Sequence, residues 1–121
     1  PNVQDERGFS LIHLASSYGN YEIVEFLLNK GINPDIQNNE GSSPILMATE
    51  EGHDKIVELL LKMGANPDIK TNKGFSPIFL ATQKGHDKIV ELLLTKGVNP
   101  NTQDTNGLFP IQLALFKYKE I

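Results

Sequence analysis

The sequence has no cysteine, which excludes a disulfide framework and a zinc site built on thiolates. No apolar run approaches the roughly 18 residues that a membrane-spanning helix needs, and no signal peptide opens the chain. Lysine and arginine are scattered singly in a chain of net charge −4, so there is no basic stripe for nucleic acid. These absences predict an intracellular, cytoplasmic protein that neither crosses a membrane nor binds nucleic acid.

Glycine is present and strictly periodic. It recurs every 33 residues, at Gly8, Gly41, Gly74 and Gly107. The same step relates three further sets of residues: Gly31, Gly64 and Gly97; Pro34, Pro67 and Pro100; Ala15, Ala48, Ala81 and Ala114. A fixed period of this size indicates one supersecondary unit stacked on copies of itself. Such a stack presents a long surface and no enclosed pocket, so the period favours partner binding over catalysis.

The first part of each unit predicts a tight turn followed by a short helix. In residues 71–74 the turn ends on glycine, as turns favour. Ser76 and Pro77 then predict a helix start, because serine caps helix N-termini and proline is tolerated at the first helical position. We expect this helix to end near Gly85.

The second part of each unit predicts a longer helix with a wide apolar face. In the third unit this helix carries Ile89, Val90 and Leu92–Leu94 and is followed by Gly97, which suits a left-handed cap. A face this wide must be buried against a partner helix and against neighbouring units. Alanine lines the first helices, whereas bulky residues fill the second. We therefore expect the first helices to pack closer and to lie on the concave side of a curved stack.

Two segments of the third unit carry a family resemblance. Residues 74–81 read Gly-x-Ser-Pro-Ile-x-x-Ala, and residues 85–97 read Gly-His-x-x-Ile-Val-Glu-Leu-Leu-Leu-x-x-Gly. Together they closely resemble the ankyrin repeat, and the resemblance extends from Val3 to about Ala114. It implies an all-α solenoid of stacked helix-turn-helix units joined by β-turn loops, with about 3.5 to 4 repeats in the chain.

The repeat register predicts a single domain over residues 1–121. Residues 1–4 are the end of a preceding repeat, 5–37, 38–70 and 71–103 are full repeats, and 104–121 form a partial or capping repeat. Because the first four residues align with Pro34 to Gln37 and the chain does not begin with methionine, we expect a segment of a longer protein.

The resemblance also implies a binding surface, since ankyrin proteins generally bind partners through the turn tips and the exposed side of the first helices. The predicted contact residues on this concave face are Arg7, Phe9, Tyr18, Glu40, Ser42, Glu50, Glu51, Asn72, Lys73, Phe75, Gln83, Lys84, Asn106, Leu108 and Phe116. The residues after the turn glycines include Phe9 and Phe75, which have the character of interface anchors. The alternative is that these rings pack locally against the turns of the next repeat.

No residue is predicted to act in catalysis or to hold a cofactor or a metal ion. His53 and His86 are equivalent residues of successive repeats, so we expect them about 10 Å apart, too far to share a zinc ion. The resemblance instead implies that the Gly-His step ties repeats together. Glu50 and Glu51 are expected on an exposed face, without the shared cavity that a general acid and base need.

We therefore expect a non-enzymatic module, monomeric as a fragment, that binds another protein through its concave face. Two alternatives stay open. A structural spacer or self-assembly element would have its apolar residues covered by further repeats. A regulatory segment would act within its own molecule on an attached enzyme or channel.

Overall fold

A computed structural model describes residues 3–98, which form six α-helices arranged as three successive pairs. The helices are α1 (Leu11–Tyr18), α2 (Tyr21–Asn29), α3 (Pro44–Glu51), α4 (Asp54–Lys62), α5 (Pro77–Lys84) and α6 (Asp87–Thr95). Residues 3–98 contain no β-strand. The predicted all-α fold class is confirmed, with each pair forming one helix-turn-helix unit.

The predicted serine caps begin the first helices. Ser43 Oγ accepts a hydrogen bond from the amide of Leu46 at 3.4 Å, and Ser76 Oγ accepts one from Phe79 at 3.2 Å. Proline fills the first helical position of both α3 and α5. Gly85 follows α5 with φ 76°, so the helix ends at the predicted residue in left-handed backbone.

The core lies between the two helix layers and continues from one repeat to the next. Equivalent residues of successive repeats are buried in it, among them Ile12, Ile45 and Ile78, then Ala15, Ala48 and Ala81, and also Ile56 and Ile89. Most helix contacts lie within a pair or between successive pairs. The hydrophobic core is therefore shared along the stack, as a repeat array requires.

The two helix layers are packed to different degrees. The first helices α1, α3 and α5 pack closely on one another, whereas the second helices α2, α4 and α6 have much sparser contacts with one another. Ala48 and Ala81 are fully buried and give the first helices room to approach. The closer packing of the first-helix layer is as predicted.

Candidate partner-binding groove

The turn before each first helix is held by the side chain of its first residue. In the first turn, the amide of Gly8 donates to the Asp5 carbonyl at 2.9 Å. The Asp5 carboxylate Oδ1 accepts from the amides of Arg7 and Phe9, each at 2.9 Å. Asn38 makes the equivalent pair of bonds in the second turn. A short polar residue at this position therefore fixes the tip that follows it.

Asparagine side chains join successive turns. The backbone amide of Asn39 donates to the Arg7 carbonyl at 2.9 Å, and its side-chain nitrogen Nδ2 donates to the Glu6 carbonyl at 2.8 Å. Asn72 repeats both bonds one repeat later, on the carbonyls of Glu40 and Asn39. We call this run of bonds between tips the turn ladder. It gives Asn72, which the sequence predicted only as a contact residue, a structural role.

Gly41 shows why glycine recurs at the turns. Its φ is 82°, in the left-handed region where glycine is favoured. A Cβ atom at Gly41 would also lie 2.6 Å from the backbone nitrogen of Asn72. Both the backbone conformation and the close approach of the next turn therefore require glycine here.

His53 and His86 tie each second helix to the preceding repeat. His53 Nε2 lies 2.9 Å from the Ser17 carbonyl, and His86 Nε2 lies 3.2 Å from the Glu50 carbonyl, so each ring donates to the last turn of a first helix. A Cβ at Gly19 would lie 2.7 Å from the ring of His53, so glycine makes room for it. The predicted structural role of the Gly-His step is confirmed.

His13 connects the first repeat to the second turn. The Ser10 amide donates to His13 Nδ1 at 3.0 Å, and His13 Nε2 lies 3.1 Å from the Ser42 carbonyl. Because an amide only donates and a carbonyl only accepts, the ring is neutral with its proton on Nε2. Burial lowers the pKa of His13, and the hydrogen bond to Ser42 opposes this shift only in part.

A groove of about 480 Å³ lies between the turn tips and the first helices and spans all three described repeats. Eight of the predicted contact residues line it: Phe9, Glu40, Ser42, Glu50, Glu51, Asn72, Lys73 and Phe75. The structure therefore brings into one groove residues that are as much as 66 positions apart in the sequence.

Four other predicted contact residues, Arg7, Tyr18, Gln83 and Lys84, are described and do not line the groove. Tyr18 is 81% exposed at the end of α1, and Gln83 and Lys84 are exposed at the end of α5. The guanidinium carbon of Arg7 lies 4.7 Å from the centre of the Phe9 ring, a cation–π contact at the rim. The remaining three, Asn106, Leu108 and Phe116, lie outside the described residues.

Met47 is a lining residue that the sequence reasoning missed. It is half-buried on α3, three and four residues before Glu50 and Glu51. Residues at these spacings share one face of a helix, so the spacing of Met47 from the two glutamates could have predicted that it lines the same surface.

The two phenylalanine rings of the groove are half-buried rather than fully exposed. Phe75 stacks on Phe79 with the ring centres 5.2 Å apart, and Phe9 makes an edge contact with His13 at 5.8 Å. Each ring therefore contacts the first helix of its own repeat. The turn that would follow Phe75 lies outside the described residues. Both rings also line the groove, so each has its aromatic contact directly at the groove surface.

The charges of the groove are unbalanced. Three glutamates line it, Glu40, Glu50 and Glu51, and all three are exposed. Lys73 is the cationic lining residue. Within residues 3–98 the three carboxylates have neither a hydrogen bond nor an ion pair through their side chains. The groove therefore combines apolar rings with an excess of negative charge.

A second depression, of about 540 Å³, lies on the outer helices and is lined by Tyr21, Lys55, Glu58, Leu59 and Lys62. It involves two repeats and no turn residue.

In the part of the chain that the structure describes, no three His, Cys, Asp or Glu side chains are grouped to hold a metal ion. None of the helices described has the length and apolar character of a membrane span.

The chain matches a family model described as ankyrin repeats (3 copies) over residues 1–71 and 64–121. It therefore belongs to the ankyrin-repeat family, and the predicted family is confirmed. No curated protein matches the chain. Ankyrin repeats are generally protein–protein interaction modules and are typically not enzymes.

Proposed function

We propose that this chain binds another protein through the groove between its turn tips and first helices. One observation carries the proposal: two pairs of equivalent groove residues differ between the second and third repeats, whereas the residues that join repeats are the same. Glu40 corresponds to Lys73 and Ser42 to Phe75, while His53 and His86 are identical. Regular stacking requires the same joining residues in successive repeats, whereas a specific binding surface requires residues that differ from one repeat to the next.

The rings of the groove suit the role of anchors. Phe9 and Phe75 are each fixed by an aromatic neighbour, so a partner that covers them need not immobilise them first. Rigid, partly covered aromatic side chains are the residues that most often carry the binding energy of an interface. The surrounding charges would then select among partners.

A pair of matched double variants tests this proposal. Glu51→Ala with Lys73→Ala removes one charge of each sign from the groove, and Glu58→Ala with Lys62→Ala does the same on the outer face of α4. All four side chains are exposed, so both variants should remain folded, which their melting curves check before binding is compared. Proteins captured from a cell extract by the parent are identified, purified and titrated against all three forms.

We expect the groove variant to bind a captured partner at least about threefold more weakly, and the outer-face variant to bind it like the parent. Equal affinity for the two variants would place the interface elsewhere. If the parent captures nothing, the spacer interpretation becomes the better one.

A spacer or self-assembly role is a second candidate, and one observation favours it. Leu11, Ile23 and Phe26 on the first repeat are exposed, whereas their equivalents in the next repeat are buried. This role predicts concentration-dependent association in sedimentation velocity, while the binding role predicts a monomer. Regulation of an attached domain and an intracellular, cytoplasmic location stay predictions from the sequence.

A further inference from the structure

Helix α3 ends on two adjacent carboxylates. Glu50 and Glu51 are its last residues, at the negative end of the helix dipole. Acidic side chains are unfavourable there, and cationic side chains are favourable. The equivalent positions show the contrast, because α1 ends on Ser17 and Tyr18 and α5 ends on Gln83 and Lys84.

No side chain in the described part of the chain pairs with these two carboxylates. The side chains of Glu50 and Glu51 have no hydrogen bond or ion pair with residues 3–98. The last turn of α3 contains no basic residue. The nearest equivalent, Lys84 on α5, follows the ordinary rule for helix ends. The helix therefore keeps two carboxylates where they oppose its own stability.

These carboxylates face a site of mixed character. They line the groove together with Glu40, and Phe9 and Met47 line the same groove. An apolar surface beside unpaired negative charge is complementary to a side chain that is itself both apolar and cationic, as in lysine and arginine. Residues that break a stability rule without compensation are expected at functional sites.

We propose that the groove takes a segment of the partner protein in which a lysine or arginine lies next to an aliphatic or aromatic residue. The cation pairs with Glu50 and Glu51 and offsets the unfavourable charge at the end of α3. The neighbouring apolar side chain packs on Phe75 and Met47. This inference rests on the proposed function and specifies the chemistry of the partner.

The proposal requires stability and binding to respond in opposite directions to one change. Glu51→Lys gives α3 the ending that α5 already has, so the melting temperature should rise while a cationic segment is repelled. Lys84→Glu makes the opposite change at the equivalent position outside the groove, and it should lower the melting temperature without weakening binding.

The experiment pans a displayed library of random twelve-residue peptides against the whole chain. Selected peptides are synthesised and titrated against the parent, against Glu50→Gln with Glu51→Gln, and against Glu58→Gln with Glu91→Gln. The second pair removes the same charge from the exposed outer helices. A Phe75→Leu variant, which keeps an apolar side chain but removes the ring, reports whether a peptide lies in the groove.

We expect the peptides to be enriched in lysine or arginine beside an apolar residue. Their affinity should fall about three- to thirtyfold with the groove pair, stay constant with the outer pair and weaken as salt is raised. Peptides that depend on Phe75 but show no cationic preference would overturn this inference and leave the proposed function standing. Peptides that are insensitive to Phe75 and to both glutamates would count against the groove and hence against both proposals.

Discussion

At the scale of single residues, polar side chains with fixed hydrogen bonds connect each repeat to the next. His13, His53 and His86 each reach a backbone carbonyl of a neighbouring repeat. Asn39 and Asn72 do the same between the turns. These bonds supply orientation that apolar contacts alone do not, since burial of apolar surface is not directional.

His13 makes the stability of the stack depend on pH. Burial holds its pKa below the ordinary value of 6.5, whereas in the unfolded chain the ring protonates near 6.5. Between the lowered pKa and 6.5 the unfolded state binds more protons, so the free energy of unfolding falls as the pH is lowered through this window. Above 6.5 the stabilisation is fully present.

Urea denaturation at pH 7.5, 6.5 and 5.5 measures this dependence. A His13→Gln variant serves as the control, because glutamine does not titrate while His53 and His86 remain. We expect the parent to lose more stability than the variant between pH 7.5 and 5.5. Parallel losses in the two forms would show that His13 does not carry the effect.

The residue contacts that lie within one helical turn could be predicted from the sequence. Ser43, Ser76 and Gly85 act within one helical turn, so their roles follow from backbone geometry alone. The turn ladder could not be predicted in the same way, because Asn72 bonds to a residue 33 positions away. The stacking of Phe75 on Phe79 depends on side-chain rotamers, which a repeat pattern does not fix.

At the scale of helices, equivalent residues differ most at the first repeat. Ile23 on α2 is 37% exposed, whereas its equivalent Ile56 on α4 is 2% exposed. Helix α4, which carries Ile56, has a second helix of a neighbouring repeat on each side, α2 and α6, whereas α2 has only α4 among the described helices. This difference accounts for the deeper burial of Ile56. The periodicity gave the two isoleucines the same expected role, since it describes a repeat without its position in the stack.

Alanine substitution at these two residues separates helix propensity from packing. Ile56→Ala should lower the free energy of unfolding by about 2–5 kcal/mol, because it leaves a cavity between repeats. Ile23→Ala should cost less than about 1 kcal/mol, because an exposed side chain loses little burial. Urea denaturation checks both values. Similar costs would mean that Ile23 is covered in solution, as self-association would require.

At the scale of the whole molecule, each helix pair depends mainly on its neighbours in the stack. Helix α4 is covered by α2 on one side and by α6 on the other, while α2 has one such neighbour among the described helices. Local opening should therefore be easier in the first repeat than in the second.

Native-state hydrogen exchange followed by NMR tests this order. The amides of Leu60 and Leu61 in α4 should exchange more slowly than those of Leu27 and Leu28 in α2. Ile56→Ala should raise the exchange rate in both helices, because it weakens the contact between them. If all four amides exchange at one common rate, the chain opens only as a whole.

The unequal packing of the two helix layers also has a mechanical consequence. The turn ladder and the close first-helix layer join the repeats by directed hydrogen bonds and tight contacts, so this side resists extension. The outer helices touch one another less and separate at lower cost. We therefore expect the stack to resist extension along the first helices and to bend more easily at the outer helices. We expect bending to change the width of the groove, while the hydrogen bonds between the tips keep their spacing constant.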